Sequence, residues 1–169
     1  MVIMTNITTE RLILSKAKHQ DKSALISEIG AWGVTKWLTR VPSPYTDSHA
    51  DEFLQTTKDQ PFNLNIFRQE ILIGGVVLAE DSEISSYELG YWLGASHWGH
   101  GYATEATRAF LDVVKMTYGD AHIKASYIIG NDASAHVLGK LGFRETGTEE
   151  TYCLPRKQMV TCATMHLEP

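Results

Sequence analysis

The stretch Gly99–Ala106, G-H-G-Y-A-T-E-A, limits what this chain can fold into more than any other part of it. Upstream, Glu83–Leu93 alternates Tyr87, Leu89, Tyr91 and Leu93 against Glu88, Gly90 and Trp92, the period of a β-strand. Downstream, Ala103, Ala106, Phe110, Val113, Val114 and Thr117 form one helical stripe, and Gly119 supplies a stop. The pattern is strand, glycine loop, long amphipathic helix. The first N–H groups of a helix have no intrahelical partner and lie at the positive end of its dipole. Glycines there allow a sharp turn and a close approach to the backbone, a ready seat for an anion such as phosphate. Taken alone, the glycines fit a plain turn into the helix equally well.

The flanking segments predict an α/β domain. Arg11–Ala17 reads as an opening strand, and His19–Ile29 as a helix stopped near Gly30. Trp32–Tyr45, with Pro42 and Pro44, reads as a shaped loop, and Thr46–Asp47–Ser48 as the cap of a helix running to Thr57. Phe62–Arg68 and Ile71–Ala79 form a hairpin about a tight turn at Arg68–Gln69–Glu70. Gly74–Gly75 marks a close backbone approach or a local irregularity. His122–Ile129 is a strand, Gly130–Asn131–Asp132 a turn and cap, and Ala133–Leu141 a short helix ending at Gly142. Phe143–Tyr152 and Lys157–Leu167 close the fold around Pro155. The expected order is β-αα-βββ-α-β-α-ββ in a mixed, mostly antiparallel sheet, as one domain over residues 1–169.

Composition removes several classes of function. Fifteen Lys and Arg against twenty Asp and Glu give a net charge of −5, which argues against a large nucleic-acid footprint. Cys153 and Cys162 are too few for a disulfide framework and form no C-x-x-C pair, so both are expected as reduced, small hydrophobes. No apolar run approaches the ~20 residues of a membrane span. Met1–Glu10 lacks a signal-peptide pattern, and the expectation is a cytoplasmic protein. His97 and His100 flank a glycine turn with no third ligand at a defined spacing, so no metal is expected.

A Walker loop is absent, and the dinucleotide fingerprint fails because Thr104 stands where its third glycine belongs. The runs E-L-G-Y-W-L-G-A-S-H-W-G-H-G-Y-A-T-E-A (Glu88–Ala106) and N-D-A-S-A-H-V-L-G-K-L-G-F (Asn131–Phe143) instead resemble the GNAT superfamily of N-acetyltransferases. The nearest likeness is to the branch acetylating ribosomal-protein N-termini. Weaker echoes lie at Thr9–Leu14, Val41–Thr46 and Ile73–Val76, so the resemblance spans nearly the whole chain in order.

The resemblance implies a GNAT fold and acetyl-CoA as co-substrate, its pyrophosphate on the loop and helix start formed by Trp98, Gly99, His100, Gly101, Tyr102, Ala103 and Thr104. Trp98 replaces the Gln or Arg of the family pattern, which shifts the load onto backbone donors. The pantetheine arm is expected beside the strand Tyr91, Trp92, Leu93, with Asn131 as helix cap or pantetheine contact. Glu88 is the expected general base, in the strand that runs along the acetyl group, its alternative being a solvated or salt-bridged strand residue. A tyrosine acid is common in the superfamily at the position of Leu138, where leucine cannot serve; Ser134 is the expected donor to the thiolate, with capping of the helix start as its alternative role. Glu105 is expected to hold the helix start. Trp32, Trp37, Tyr45 and Phe53 either line the acceptor pocket or belong to the core. The implied partners are acetyl-CoA and a primary amine, either a protein N-terminus or a small molecule such as an amino acid, polyamine or antibiotic. The rival reading is a non-catalytic acyl-CoA-binding module. Monomer and homodimer both remain open, since the closing strands offer a free edge.

Overall fold

The computed structural model describes residues 6–82 and 86–167. The expected strand start at 83–85 lies outside them. The chain runs β1 (Asn6–Thr8), β2 (Ile13–Ser15), a 3-10 turn at His19–Asp21, α1 (Lys22–Gly30), α2 (Trp32–Thr35), α3 (Asp47–Thr57), β3 (Asn63–Arg68), β4 (Ile71–Glu80) and β5 (Ser86–Leu93). A 3-10 turn at Ala95–His97 leads to α4 (Tyr102–Tyr118), β6 (His122–Ile128), α5 (Asp132–Lys140), β7 (Phe143–Cys153) and β8 (Gln158–Leu167). Among the described residues the strands form one sheet in the order β1-β2-β3-β4-β5-β6-β8-β7. The β5–β6 pair is parallel and the other pairs are antiparallel.

The opening differs from the expected single strand at Arg11–Ala17. Two three-residue strands pair across a turn closed by Thr9 N–H to Leu12 O at 2.9 Å. Ile7, Leu12 and Leu14 bury against the sheet, in pieces too short to show a period. The expected loop at Trp32–Tyr45 begins with the short α2. Buried Thr35 holds that turn, donating to Ile29 O at 2.5 Å and Ala31 O at 3.1 Å. Thr46 caps α3 as expected, accepting from His49 N–H.

The β3–β4 hairpin turns on Gln69 and Glu70, both with positive φ, as a two-residue hairpin requires. In the same hairpin Ile66 faces Gly74 and Phe67 faces Leu72, so Ile73 is the extra residue of a bulge. A Cβ on Gly74 would collide with the Trp92 carbonyl oxygen, the close approach its glycine implies.

Side-chain alternation feeds two larger cores and a smaller cluster of Ile128, Cys153, Val160 and Cys162 on β6, β7 and β8. One face of the sheet packs α4 and α5 through Leu64, Ile66, Val76, Leu89, Phe110, Val114 and Leu138. On the other, Phe67, Leu72 and Trp92 pack with Leu25, Ile29 and Ala50 of α1 and α3. The stripe on α4 is broader than its sequence period implies. Tyr102, Thr107 and Leu111 are buried too, while Thr117 is exposed. Gly119 ends α4 with φ of 63°.

Candidate active site

The parallel pairing of β5 and β6 stops at Leu89–Ala125, although β5 runs on to Leu93 and β6 to Ile128. Antiparallel partners hold the outer sides, β4 along β5 and β8 along β6. The two strands therefore part, and the wedge between them opens into a cleft of about 1020 Å3. Gly94 N–H continues the β4 ladder, donating to Ile73 O at 2.8 Å. Backbone direction alternates along an antiparallel strand, so Trp92 points its peptide groups at β4 while Tyr91 and Leu93 point theirs at the wedge. The Leu93 carbonyl is taken by the Trp98 indole N–H at 2.9 Å. Of the expected trio, the backbone of Tyr91 and the N–H of Leu93 are thus available to a guest. Trp92 contributes its side chain, which lies across Gly75.

Gly99 and Gly101 have φ of +77° and +79°, the left-handed region that favours glycine. The first bond of α4 runs from Glu105 N–H to Gly101 O at 3.0 Å. The N–H groups of Tyr102, Ala103 and Thr104 precede it, and capping residue Gly101 has no side chain to meet them. Gly99, Gly101 and these three residues line the cleft. Glu105 fastens the loop from behind. It accepts from Thr9 Oγ1 at 2.6 Å, Arg11 N at 2.9 Å and Arg11 Nε at 2.6 Å. Burial pushes its carboxyl pKa up, but the hydrogen bonds from Thr9 and Arg11 outweigh it and leave the pKa below the ordinary value. Its structural role is as expected. The His100 ring stacks on that of Tyr102, which lines the cleft, at 5.4 Å and 11°. The Arg11 guanidinium sits 4.6 Å over the same Tyr102 ring and donates to His100 O, drawing this segment toward Arg11.

Glu88 stands at the root of the wedge, between Ala79 on β4 and Lys124 on β6. Its side chain is 27% exposed. Oε2 accepts from Arg40 Nη2 at 3.0 Å, and Oε1 from Ser126 Oγ at 3.4 Å. Sequence reasoning missed both partners. Arg40 lies in the segment after α2, and that segment is strapped to the β7–β8 tip. Leu154 N–H donates to Thr39 O at 2.8 Å, Arg156 Nε to Lys36 O at 2.7 Å, and the Arg156 guanidinium covers the Trp37 ring at 4.8 Å.

Asn131 caps α5, its side chain accepting from Ser134 N–H at 3.4 Å, and it also lines the cleft. Ser134 is therefore not the cap. Its hydroxyl oxygen lies 2.8 Å from the Tyr91 phenol oxygen, which also donates to Ser134 O at 3.2 Å. Burial pushes the Tyr91 pKa up to about 12, with the Ser134 hydrogen bond acting the other way. Leu138 is fully buried in the core beneath.

Trp37, Tyr45 and Phe53 line the cleft from the α2–α3 side, whereas Trp32 is 53% exposed and lies outside it. Cys153 and Cys162 are buried free thiols on β7 and β8. Among the described residues, no group of three or more His, Cys, Asp or Glu is placed to hold a metal ion, and no helix is long and apolar enough to cross a membrane.

The arrangement offers backbone donors for an anion, an open strand edge for an extended amide chain, and a carboxylate and a hydroxyl at the wedge. Residues 11–144 match the family model described as the acetyltransferase (GNAT) domain. The chain is 30% identical to an uncharacterised N-acetyltransferase, p20, of Bacillus licheniformis over 88% of each chain. It is 26% identical to the uncharacterised N-acetyltransferase YnaD of Bacillus subtilis over 89% of each. Among solved structures, a GNAT-family acetyltransferase from Bacillus anthracis superposes with a TM-score of 0.84 at 21% identity, over 96% of this chain and 98% of that one. The ribosomal-protein-S5-alanine acetyltransferase of Vibrio fischeri gives 0.76 at 17% identity, over 95% and 96%. This chain belongs to the GNAT acetyltransferase family and is an acyltransferase.

Proposed function

We propose that the protein transfers the acetyl group of acetyl-CoA to a primary amine, the α-amine of a protein N-terminus in the first instance, by direct attack in a ternary complex. The observation that carries this reading is the parting of β5 from β6 after Leu89, with Glu88 at its root and the glycine loop of α4 at its mouth. The pyrophosphate takes the N–H groups at the start of α4, where dipole and unpaired donors favour an anion. The pantetheine amides pair with the wedge-facing backbone of Tyr91 and the N–H of Leu93, as an added strand would. Glu88 accepts the amine proton; an α-amine has a reference pKa of about 8, so a carboxylate in a partly dry site suffices. Ser134 donates to the departing thiolate.

A small-molecule amine is the second reading. The strap between Thr39 and Leu154 favours it, because it ties the cleft-lining segment that carries Arg40 to the β7–β8 tip, as suits a fixed pocket for a small acceptor. Purified protein is incubated with acetyl-CoA and a panel of N-terminal peptides, amino acids and polyamines, with free thiol and acetylated products measured. Thiol release that follows the acceptor supports the reading; no release with any acceptor sinks it.

A further inference from the structure

Tyr91 and Ser134 lie 43 positions apart, yet their hydroxyl oxygens meet at 2.8 Å at the edge of the wedge. A lone serine hydroxyl rotates, and in the first turn of a helix its proton readily turns back to nearby backbone. At Ser134 a neighbour restricts that rotation. The Tyr91 phenol packs against the main core and carries one proton, with two acceptors before it, both on Ser134: Oγ at 2.8 Å, where either oxygen could donate, and the backbone carbonyl at 3.2 Å. Burial holds the phenol pKa at about 12, so Tyr91 stays protonated, a permanent donor, across the working range. When it donates to Oγ, the shorter of the two contacts, it fills one lone pair there, and the Ser134 proton then points away from Tyr91 on a residue that lines the cleft.

We propose that Tyr91 is a positioning residue: by donating to Ser134 Oγ it commits the Ser134 hydroxyl proton to the sulfur of the leaving CoA. This inference rests on the acetyl-CoA reading above. As the amine forms its C–N bond, the thioester C–S bond breaks and its electron pair passes to sulfur, which accepts the hydrogen bond from Ser134. The amine proton leaves through Glu88 to solvent, and the thiolate takes its proton from solvent. Tyr91 keeps its own throughout. A tyrosine thus takes part in thiolate departure from β5, through a serine, in a chain whose α5 carries Leu138 buried in the core.

The test needs no acceptor. The thiol of CoA bound to the protein is titrated through its ultraviolet thiolate absorbance in wild type, Tyr91→Phe, Ser134→Ala and the double variant. A donor aimed at sulfur lowers the bound thiol pKa by about one unit, a tenfold change in thiolate population. Tyr91→Phe and Ser134→Ala each abolish that shift, and the double variant loses no more than either, as expected of residues acting in series. Bound CoA that titrates identically in wild type and Tyr91→Phe overturns the inference while leaving the acetyl-CoA reading standing. CoA that fails to bind wild type overturns both. Should Tyr91→Phe not fold, Ser134→Ala decides alone, and a wild-type titration there overturns the inference.

Discussion

Arg40 and Glu88 meet at the root of the wedge, Nη2 to Oε2 at 3.0 Å, with the arginine side chain 78% exposed and the carboxylate 27%. An ion pair this open to solvent contributes about 0–1 kcal/mol. Arg40 therefore holds the carboxylate in line with the cleft without locking it, and an incoming amine can take its place.

Glu88→Gln is expected to lower kcat at least about tenfold, near the lower reach of general-base effects, while CoA affinity stays within about twofold. Steady-state rates and calorimetric CoA binding on one preparation check this. Unchanged turnover removes Glu88 from its role as base, and retained CoA binding with no turnover in wild type favours a non-catalytic module.

Arg40→Ala removes a cation that competes with a protonated amine for Glu88. Its expected effect is a fall in acceptor KM of up to about fivefold, the equivalent of a surface ion pair, with little change in Tm. A rise in KM instead makes Arg40 a direct contact of the acceptor.

Gly101→Ala and Gly119→Ala separate binding from strain. Both glycines have positive φ, so alanine costs roughly 1–2 kcal/mol of stability at Gly101, which is left-handed with ψ of 7°, and roughly 1–3 kcal/mol at Gly119, whose ψ of −128° lies outside that region. A Cβ at Gly101 meets Arg11 Nη2 at an ordinary 3.6 Å, and one at Gly119 meets nothing within 4 Å. CoA affinity is expected to fall for Gly101→Ala alone, because that loop presents the first N–H groups of α4. Equal CoA affinity in the two variants contradicts the phosphate seat.

The pH dependence of stability carries the signature of Glu105. Its folded carboxyl pKa is lowered, so its contribution is present above the ordinary value of about 4.3 and disappears as pH falls through the folded value. Glu105→Gln is expected to cost about 1–2 kcal/mol at pH 7, the scale of hydrogen bonds to a charged group. The gap between wild type and variant, read from urea midpoints, closes below about pH 4.

Lys16→Met tests a staple far from the site. The Lys16 ammonium donates to the carbonyls of Thr57, Gln60 and Asn63, where α3 ends and β3 begins. Losing it leaves those carbonyls without this donor, and a drop of about 1–2 kcal/mol is expected, with acetyl transfer unchanged. An unaltered Tm contradicts the staple.

Features governed by neighbours in the chain were legible before the fold was known. The alternation of Tyr87, Leu89, Tyr91 and Leu93, the glycines at 99 and 101, the stripe through Phe110 and Val114, and the caps at Thr46 and Asn131 all express local sterics and periodicity. They sufficed for the element order from the second helix onward; the family resemblance rests instead on the runs Glu88–Ala106 and Asn131–Phe143. Segments of three or four residues, β1 and α2, carry too little period to be read, whereas β2 falls within the strand expected at Arg11–Ala17. The unread pair exist because Ile7 and Thr35 find burial and partners elsewhere.

The candidate site divides the same way. Local sequence determined that a helix with unpaired N–H groups follows a strand through a glycine turn, since that turn needs only the φ freedom of Gly99 and Gly101. Tertiary structure alone decided that β5 and β6 part after Leu89, that His100 turns to Tyr102, that Arg40 and Ser126 meet Glu88, and that Tyr91 meets Ser134. These are contacts between side chains brought together by the packing of separate elements, and no periodicity along the chain encodes which hydroxyl will face which.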